Sequence, residues 1–225
     1  MKFLDSVGLA RIFRYYLAHK KWEGSSDYWQ KRYQLGFNSG AGSYNRLAEF
    51  KAKVVNDFVK KHQIQTVIEY GCGDGNQLLL SDYPAYIGFD VAEEAIEICK
   101  ELFQDDAKKR FEWSGAPDYV CKETADMTLS LDVIYHLTED DVFEKYMRQL
   151  FDSSKSYVCI YSCNDDNNTG KSRHVKNRVF TDWIEHNYSA DWKLISFIKN
   201  EYPFDPKDPK NTSFSDFYFY ERIRK

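Results

Sequence analysis

The chain contains no run approaching the ~20 consecutive apolar residues that a membrane-spanning helix requires, so no span is expected. Five cysteines, at 72, 99, 121, 159 and 163, make no paired framework. That excludes a disulfide-stapled secreted scaffold and points to reduced thiols in a cytoplasmic protein. Cys159 and Cys163 have no third ligand at metal-binding spacing, so no metal centre is expected. An excess of positive charge is also lacking: the formal charge is −4. A broad basic footprint for RNA or DNA is therefore not expected, although local basic patches are compatible with that balance. Internal repeats and low-complexity segments are absent. The first residues, Met1 to Lys21, carry Lys2, Arg11, Arg14, Lys20 and Lys21 among Phe3, Leu4, Val7, Ile12, Phe13, Tyr16 and Leu17. Charges interrupt any apolar stretch there, unlike a signal peptide or anchor. A basic amphipathic helix can lie on a membrane or pack on a partner. Packing on its own domain, or on a sister subunit in a homodimer, is the expected use.

What is present is concentrated. Of only 11 glycines in 225 residues, three fall at Gly71, Gly73 and Gly75. They follow a β-branched run, Thr66 to Tyr70, which reads as a short buried strand. Glycines after a strand let the backbone turn sharply and approach a ligand with no side chain intervening. The spacing is G-x-G-x-G, with Glu69 two positions before the first glycine. A dinucleotide loop would need glycine where Asn76 stands. A second strand-like run, Tyr86 to Asp90, ends in an acid about 20 residues beyond Glu69, the spacing of a ribose-binding carboxylate. The competing use of Asp90 is as N-cap of the helix that begins at Ala92.

A chain of this length most naturally forms one α/β domain with a full core, and 17 Tyr and 16 Phe supply both core and pocket walls. Strands are predicted at 66–70, 85–90, 111–113, 127–131, 157–162, 192–198 and 214–220. Helices are predicted over 1–24, from Ser43 as N-cap through Leu47, Phe50, Val54 and Phe58, at 77–80, at 92–103, after Thr138 as cap with Asp141 three residues on, and at 181–185. Residues 1–43 form a helical segment and a glycine-rich lid, and residues 44–225 the α/β domain. The alternation argues a mostly parallel sheet covered on both faces. Two terminal strands without an intervening helix argue that the last is antiparallel.

Residues of interest collect at the carboxyl ends of these strands, where open α/β sheets bind ligands. His136, after the fourth strand, can act as a base through a neutral imidazole. It can equally brace the next helix or position an acceptor. Trp113 can stack on a ligand or belong to the core. Arg46 can pair with a carboxylate or stand solvated in a linker. Lys171, Arg173, His174, Lys176 and Arg178 can grip an anion or form a solvated loop.

The loop Glu69-Tyr70-Gly71-Cys72-Gly73-Asp74-Gly75, with Asp90, resembles the first motifs of S-adenosylmethionine-dependent methyltransferases of the Rossmann-like class. From Tyr28 to Glu221 the chain is similar to bacterial class I methyltransferases of capsule and surface-polysaccharide clusters. The similarity is carried by Tyr28-Trp29, Asn38 to Ser43, Arg46 to Ala52, Ser130 to Leu137, His174 to Arg178 and Tyr202 to Pro206. The resemblance implies a Rossmann-like three-layer sandwich with a seven-stranded sheet, and S-adenosylmethionine as cofactor. It implies that Gly71, Gly73 and Leu131 hold the cofactor, with Glu69 on its ammonium and Asp90 on its ribose. Trp113 and Ser114 would meet adenine, and Gly42 and Arg46 would close over the methionine carboxylate. Tyr28, Tyr135, His174, Lys176 and Arg178 would bind the acceptor beside His136. Asn177 departs from the second histidine of the relatives, which argues against a catalytic pairing with His174. The implied reaction is methyl transfer to oxygen of a small, polar, anionic acceptor such as a sugar or a phosphoramidate group. A non-catalytic cofactor-binding sensor or partner subunit, and methylation of nitrogen or RNA, are the rival readings.

Overall fold

The computed structural model describes residues 22–116 and 118–223. The helix expected within residues 1–24 falls almost wholly outside them. Helix α1 spans Ser25–Gln34 and α2 spans Asn45–Lys61. Strands β1 (Thr66–Tyr70) and β2 (Ala85–Asp90) lead to α3 (Glu93–Leu102), β3 (Lys109–Trp113) and β4 (Ala125–Leu131). Then come α4 (Asp140–Asp152), β5 (Ser154–Ser162), α5 (Phe180–Tyr188), β6 (Trp192–Ile198) and β7 (Asp216–Arg222). Short 3₁₀ turns occupy Ala41–Ser43, Gln77–Leu80 and Ile134–His136.

The seven strands form one sheet in the order β3-β2-β1-β4-β5-β7-β6. The pairs β3–β2, β2–β1, β1–β4 and β4–β5 are parallel, and β7 runs antiparallel to both neighbours. The last strand thus inserts between β5 and β6, as a return without a crossover allows. Period-two alternation assigns each strand's residues to opposite faces. Val67, Cys159, Tyr161, Phe217 and Phe219 pack with Phe50, Val55, Phe58 and Ile96 of α2 and α3. Ile68, Tyr70, Val158, Ile160 and Tyr220 pack with Phe143, Met147, Leu150, Phe180 and Ile184 of α4 and α5. This is the three-layer sandwich expected. No helix among the described residues is long and apolar enough to cross a membrane.

Three local expectations are corrected. Helix α2 starts after Tyr44, not Ser43, because Ser43 is already bound into a 3₁₀ turn with its N–H on Gly40 O at 3.1 Å. Helix α4 has Glu139 rather than Thr138 at its N-cap and no side-chain cap. The Glu139 carboxylate instead accepts the N–H and hydroxyl of Ser25, at 2.8 and 2.7 Å, tying α1 to the domain. Strand β7 begins at Asp216, since Phe214 leaves the strand path to pack edge-on against Tyr135.

Candidate active site

A cavity of about 390 Å³ opens at the carboxyl ends of β1 to β4, within the ~300–1,000 Å³ range of small-molecule sites. Its floor begins with the glycine loop. Gly71 has φ +83° and a Cβ there would lie 2.5 Å from Val133 Cγ2; Gly73 has φ +58° and a Cβ there would lie 2.3 Å from Ser39 Oγ. Neither position admits another residue without displacing a neighbour. The loop is stitched to the end of β2: Gly71 N–H donates to Phe89 O at 2.7 Å and Gly73 N–H to Asp90 Oδ2 at 2.9 Å.

Asp90 also accepts the Ala92 N–H on Oδ1 at 2.9 Å. It is therefore a loop clasp, while Ala92 holds the N-cap position of α3. Burial raises the Asp90 carboxyl to about 6, against the pull of those N–H groups. Burial likewise raises Glu69 to about 7, opposed by the Tyr86 hydroxyl, which donates to Oε2 at 2.6 Å, and by Lys51. Lys51 stands on the apolar face of α2 with its side chain 1 % exposed. Its Nζ lies 2.8 Å from Asp132 Oδ2, and Asp132 Oδ1 accepts the hydroxyls of Tyr135 and Ser215, each at 3.0 Å. Asp132 has φ +61°, a strained conformation for a non-glycine residue, held by these three partners.

His136 ends the 3₁₀ turn after β4 and lines the cavity. Its Nδ1 lies 2.8 Å from the main-chain oxygen of His174. A carbonyl can only accept, so Nδ1 carries the proton and Nε2 is the ring's acceptor. Enclosure lowers the imidazole from 6.5 to about 4, with the His174 carbonyl opposing. Trp29 packs edge-on against the ring at 4.9 Å.

Of the residues expected at the site, Glu69, Gly71, Gly73, Asp90, Ser114, Leu131 and His136 share this one cavity. Gly42 lies just behind it, where a Cβ would meet Asp132 Oδ2 at 2.7 Å. Arg46 turns away: its Nε donates to Asn211 O at 2.6 Å and its guanidinium stacks on Tyr202 at 4.5 Å, bracing the β6–β7 connection. Trp113 is 41 % exposed and donates to Val91 O at 2.8 Å, so it neither stacks in the cavity nor joins the core. Tyr28, Tyr135 and His174 stand behind His136 rather than in the cavity wall. Lys176 and Arg178 are engaged by Asp140 at 2.5 and 2.8 Å, and Arg178 also donates to Leu137 O and Thr138 O. These cations hold Asp140 down at about 2. Asn177 is bound to Asp165 and Asn167, away from His174.

Trp29, Tyr33, Ser39, Lys51 and Asp132 also line the cavity and were not expected there. Lys51 carried a signal: it interrupts the apolar face Leu47, Ala48, Phe50, Ala52 and Val55. Trp29 and Tyr33 lie four apart on α1, a helical pairing.

No protein-family model and no curated protein matches the chain. Solved structures are similar in fold. The magnesium protoporphyrin IX methyltransferase (ChlM) of Synechocystis PCC 6803, with bound SAH, is 12 % identical at a TM-score of 0.61, over 97 % of this chain and 96 % of that one. The N-methyltransferase NodS of Bradyrhizobium japonicum WM9, in complex with S-adenosyl-L-homocysteine, is 12 % identical at 0.60, over 80 % and 88 %. The methyltransferase domain of bacterial CtHen1-CN is 20 % identical at 0.58, over 76 % and 97 %. With its mostly parallel seven-stranded sheet and flanking helices, this chain has the fold of these methyltransferases.

Proposed function

We propose that the chain is an S-adenosylmethionine-dependent methyltransferase that methylates oxygen on a small polar acceptor, with His136 as general base. The observation that carries this reading is one cavity walled by the glycine loop, Glu69 and Asp90 on one side and by His136 on the other. The residues present fit the cofactor. Glu69, Asp90 and Asp132 line the cavity beside Lys51, which is paired with Asp132, so the floor holds more acids than cations and suits a ligand bearing ammonium and sulfonium. Each Asp90 oxygen has accepted one N–H, and a carboxylate offers about four acceptor sites, so ribose hydroxyls can still be taken. Arg46 is committed to the β6–β7 connection and Lys51 to Asp132, so as they stand neither is free to pair with the methionine carboxylate. Ser114 and Leu131 complete the walls.

When bound, S-adenosylmethionine supplies a methyl group on a positively charged sulfur. The chain's own work is to hold the acceptor and remove its proton. His136 Nε2 takes the hydroxyl proton while Nδ1 stays on the His174 carbonyl, which orients the imidazolium that forms. With its pKa lowered to about 4, the imidazole is neutral at neutral pH, though enclosure also makes it a weaker base than a free imidazole.

The acceptor class, a sugar or phosphoramidate group of capsule or surface-polysaccharide biosynthesis, rests on the sequence resemblance. Lys176 and Arg178 lend no support to an anionic acceptor, since both are engaged by Asp140 and neither lines the cavity. The test is transfer of an isotope-labelled methyl from S-adenosylmethionine to a panel of sugar nucleotides and phosphoramidates. Wild type should label a member of the panel. His136→Ala should lower kcat by ~10²–10⁴ and leave cofactor affinity nearly unchanged. An unaltered kcat in His136→Ala would remove the base assignment. Cofactor binding without transfer to any acceptor would favour the sensor reading.

A further inference from the structure

We infer that the segment His174–Arg178, clamped by Tyr28 of α1, is a positioning device that sets the tautomer of His136. The inference rests on the reading of His136 as the proton acceptor. An imidazole is a base only at its unprotonated nitrogen, and which nitrogen that is depends on the partner of the other one. Here the partner is a main-chain oxygen, His174 O at 2.8 Å from Nδ1. No side chain of the sheet supplies it, so the tautomer depends on how the loop after β5 is held in register with the turn after β4.

Five further contacts fix that register. The Lys176 N–H donates to Tyr135 O at 2.8 Å. Arg178 donates to Leu137 O at 2.5 Å and Thr138 O at 3.2 Å, and Asp140 pairs with both cations. Residues 174–178 are thereby laced along residues 135–140, and the cations that suggest an anion site in the sequence act as staples. The last hold comes from outside the sheet. Tyr28 stacks on His174 at 4.4 Å with the planes 5° apart, and His174 lies over His136 at 5.6 Å and 18°. The three rings form a column whose outer member belongs to α1. Helix α1 is itself latched by the two Ser25 bonds to Glu139. The column therefore links docking of α1 to the chemical state of the base. Neither His174 nor Tyr28 lines the cavity, so they act through His136 and not on the acceptor.

The test needs no acceptor. In cofactor-free protein labelled with ¹⁵N-histidine, long-range ¹⁵N–¹H spectra report which ring nitrogen of His136 carries hydrogen, with His136→Gln providing the assignment. Wild type and Tyr28→Phe should show the Nδ1–H form. Tyr28→Ala and Arg178→Ala should lose that signature in favour of Nε2–H. Wild-type His136 in the Nε2–H form would overturn the inference outright, as would retention of Nδ1–H in both alanine variants. If Tyr28→Ala does not fold, Arg178→Ala and the wild-type spectrum still decide. Calorimetry with S-adenosylmethionine on the same samples separates the two claims. A protein with the Nδ1–H form but no cofactor affinity would sink the proposed function and leave the positioning device standing; normal affinity with the wrong tautomer would remove the device, and Nε2 as the base with it, and leave cofactor binding standing.

Discussion

Glu69 and Asp90 are carboxyls held above their ordinary values by burial, at about 7 and about 6. A cation placed beside them favours the ionised form, so binding a positively charged cofactor expels protons. The affinity for S-adenosylmethionine should therefore rise between about pH 5 and 8 as these groups ionise. Calorimetry in two buffers of different ionisation enthalpy should register proton release in that window, and Glu69→Gln should reduce it. A flat pH profile would contradict the charge assignment of the floor. Stability of the cofactor-free protein follows the opposite course. A folded value of about 7 against the ordinary 4.5 means that the folded state binds protons more tightly, so Glu69 makes the protein less stable as pH rises from 4.5 through 7. The carboxylates were legible in sequence because each ends a β-branched or aromatic run at a strand tip. The partners of Lys51 and Arg46 were not, because they are distant in the chain: Asp132 and Asp208 lie 81 and 162 residues away.

At the scale of elements, the glycine loop and the segment around Tyr33 and Ser39 are one assembly. Tyr33 and Ser39 share a hydrogen bond at 2.8 Å, the Ser39 N–H donates to Asp74 Oδ2 at 3.0 Å, and the Asp74 N–H returns to Ser39 Oγ at 3.1 Å. A side chain at Gly73 would strike Ser39 before it reached the cavity. Gly73→Val should thus loosen residues 25–40 as well as weaken cofactor binding, with faster amide exchange across α1. Normal exchange together with normal cofactor affinity would show that the loop tolerates a Cβ and that its contact with Ser39 is incidental. The strands and α2 to α5 were readable from hydrophobic periodicity, to within a few residues at their ends. Helix α1 was not. Among its apolar residues only Tyr28 and Tyr33 are buried, five positions apart, which makes no helical stripe. Its position comes from contacts with Glu139, His174 and Ser39, which no local pattern reveals.

The whole molecule places its polar cost at one edge of the sheet. Strands β1 to β5 run parallel and deliver their carboxyl ends together, while β7 returns antiparallel to bring Ser215 onto Asp132. The Lys51–Asp132 pair joins α2 to β4 inside that edge, and removal of one partner leaves an uncompensated charge. Lys51→Met should lower unfolding free energy by about 3–5 kcal/mol, measured by denaturant titration. A loss below about 1 kcal/mol would mean that the pair behaves as a solvated surface bridge.

The central claim is that this edge binds S-adenosylmethionine through the Asp90 clasp. Calorimetric titration of the cofactor into wild type and Asp90→Ala tests it directly. The account predicts saturable binding to one site per chain, weakened in Asp90→Ala by about 1.5–3 kcal/mol, roughly 10- to 150-fold. No saturable binding by the wild type, or equal affinity in the two proteins, would contradict it.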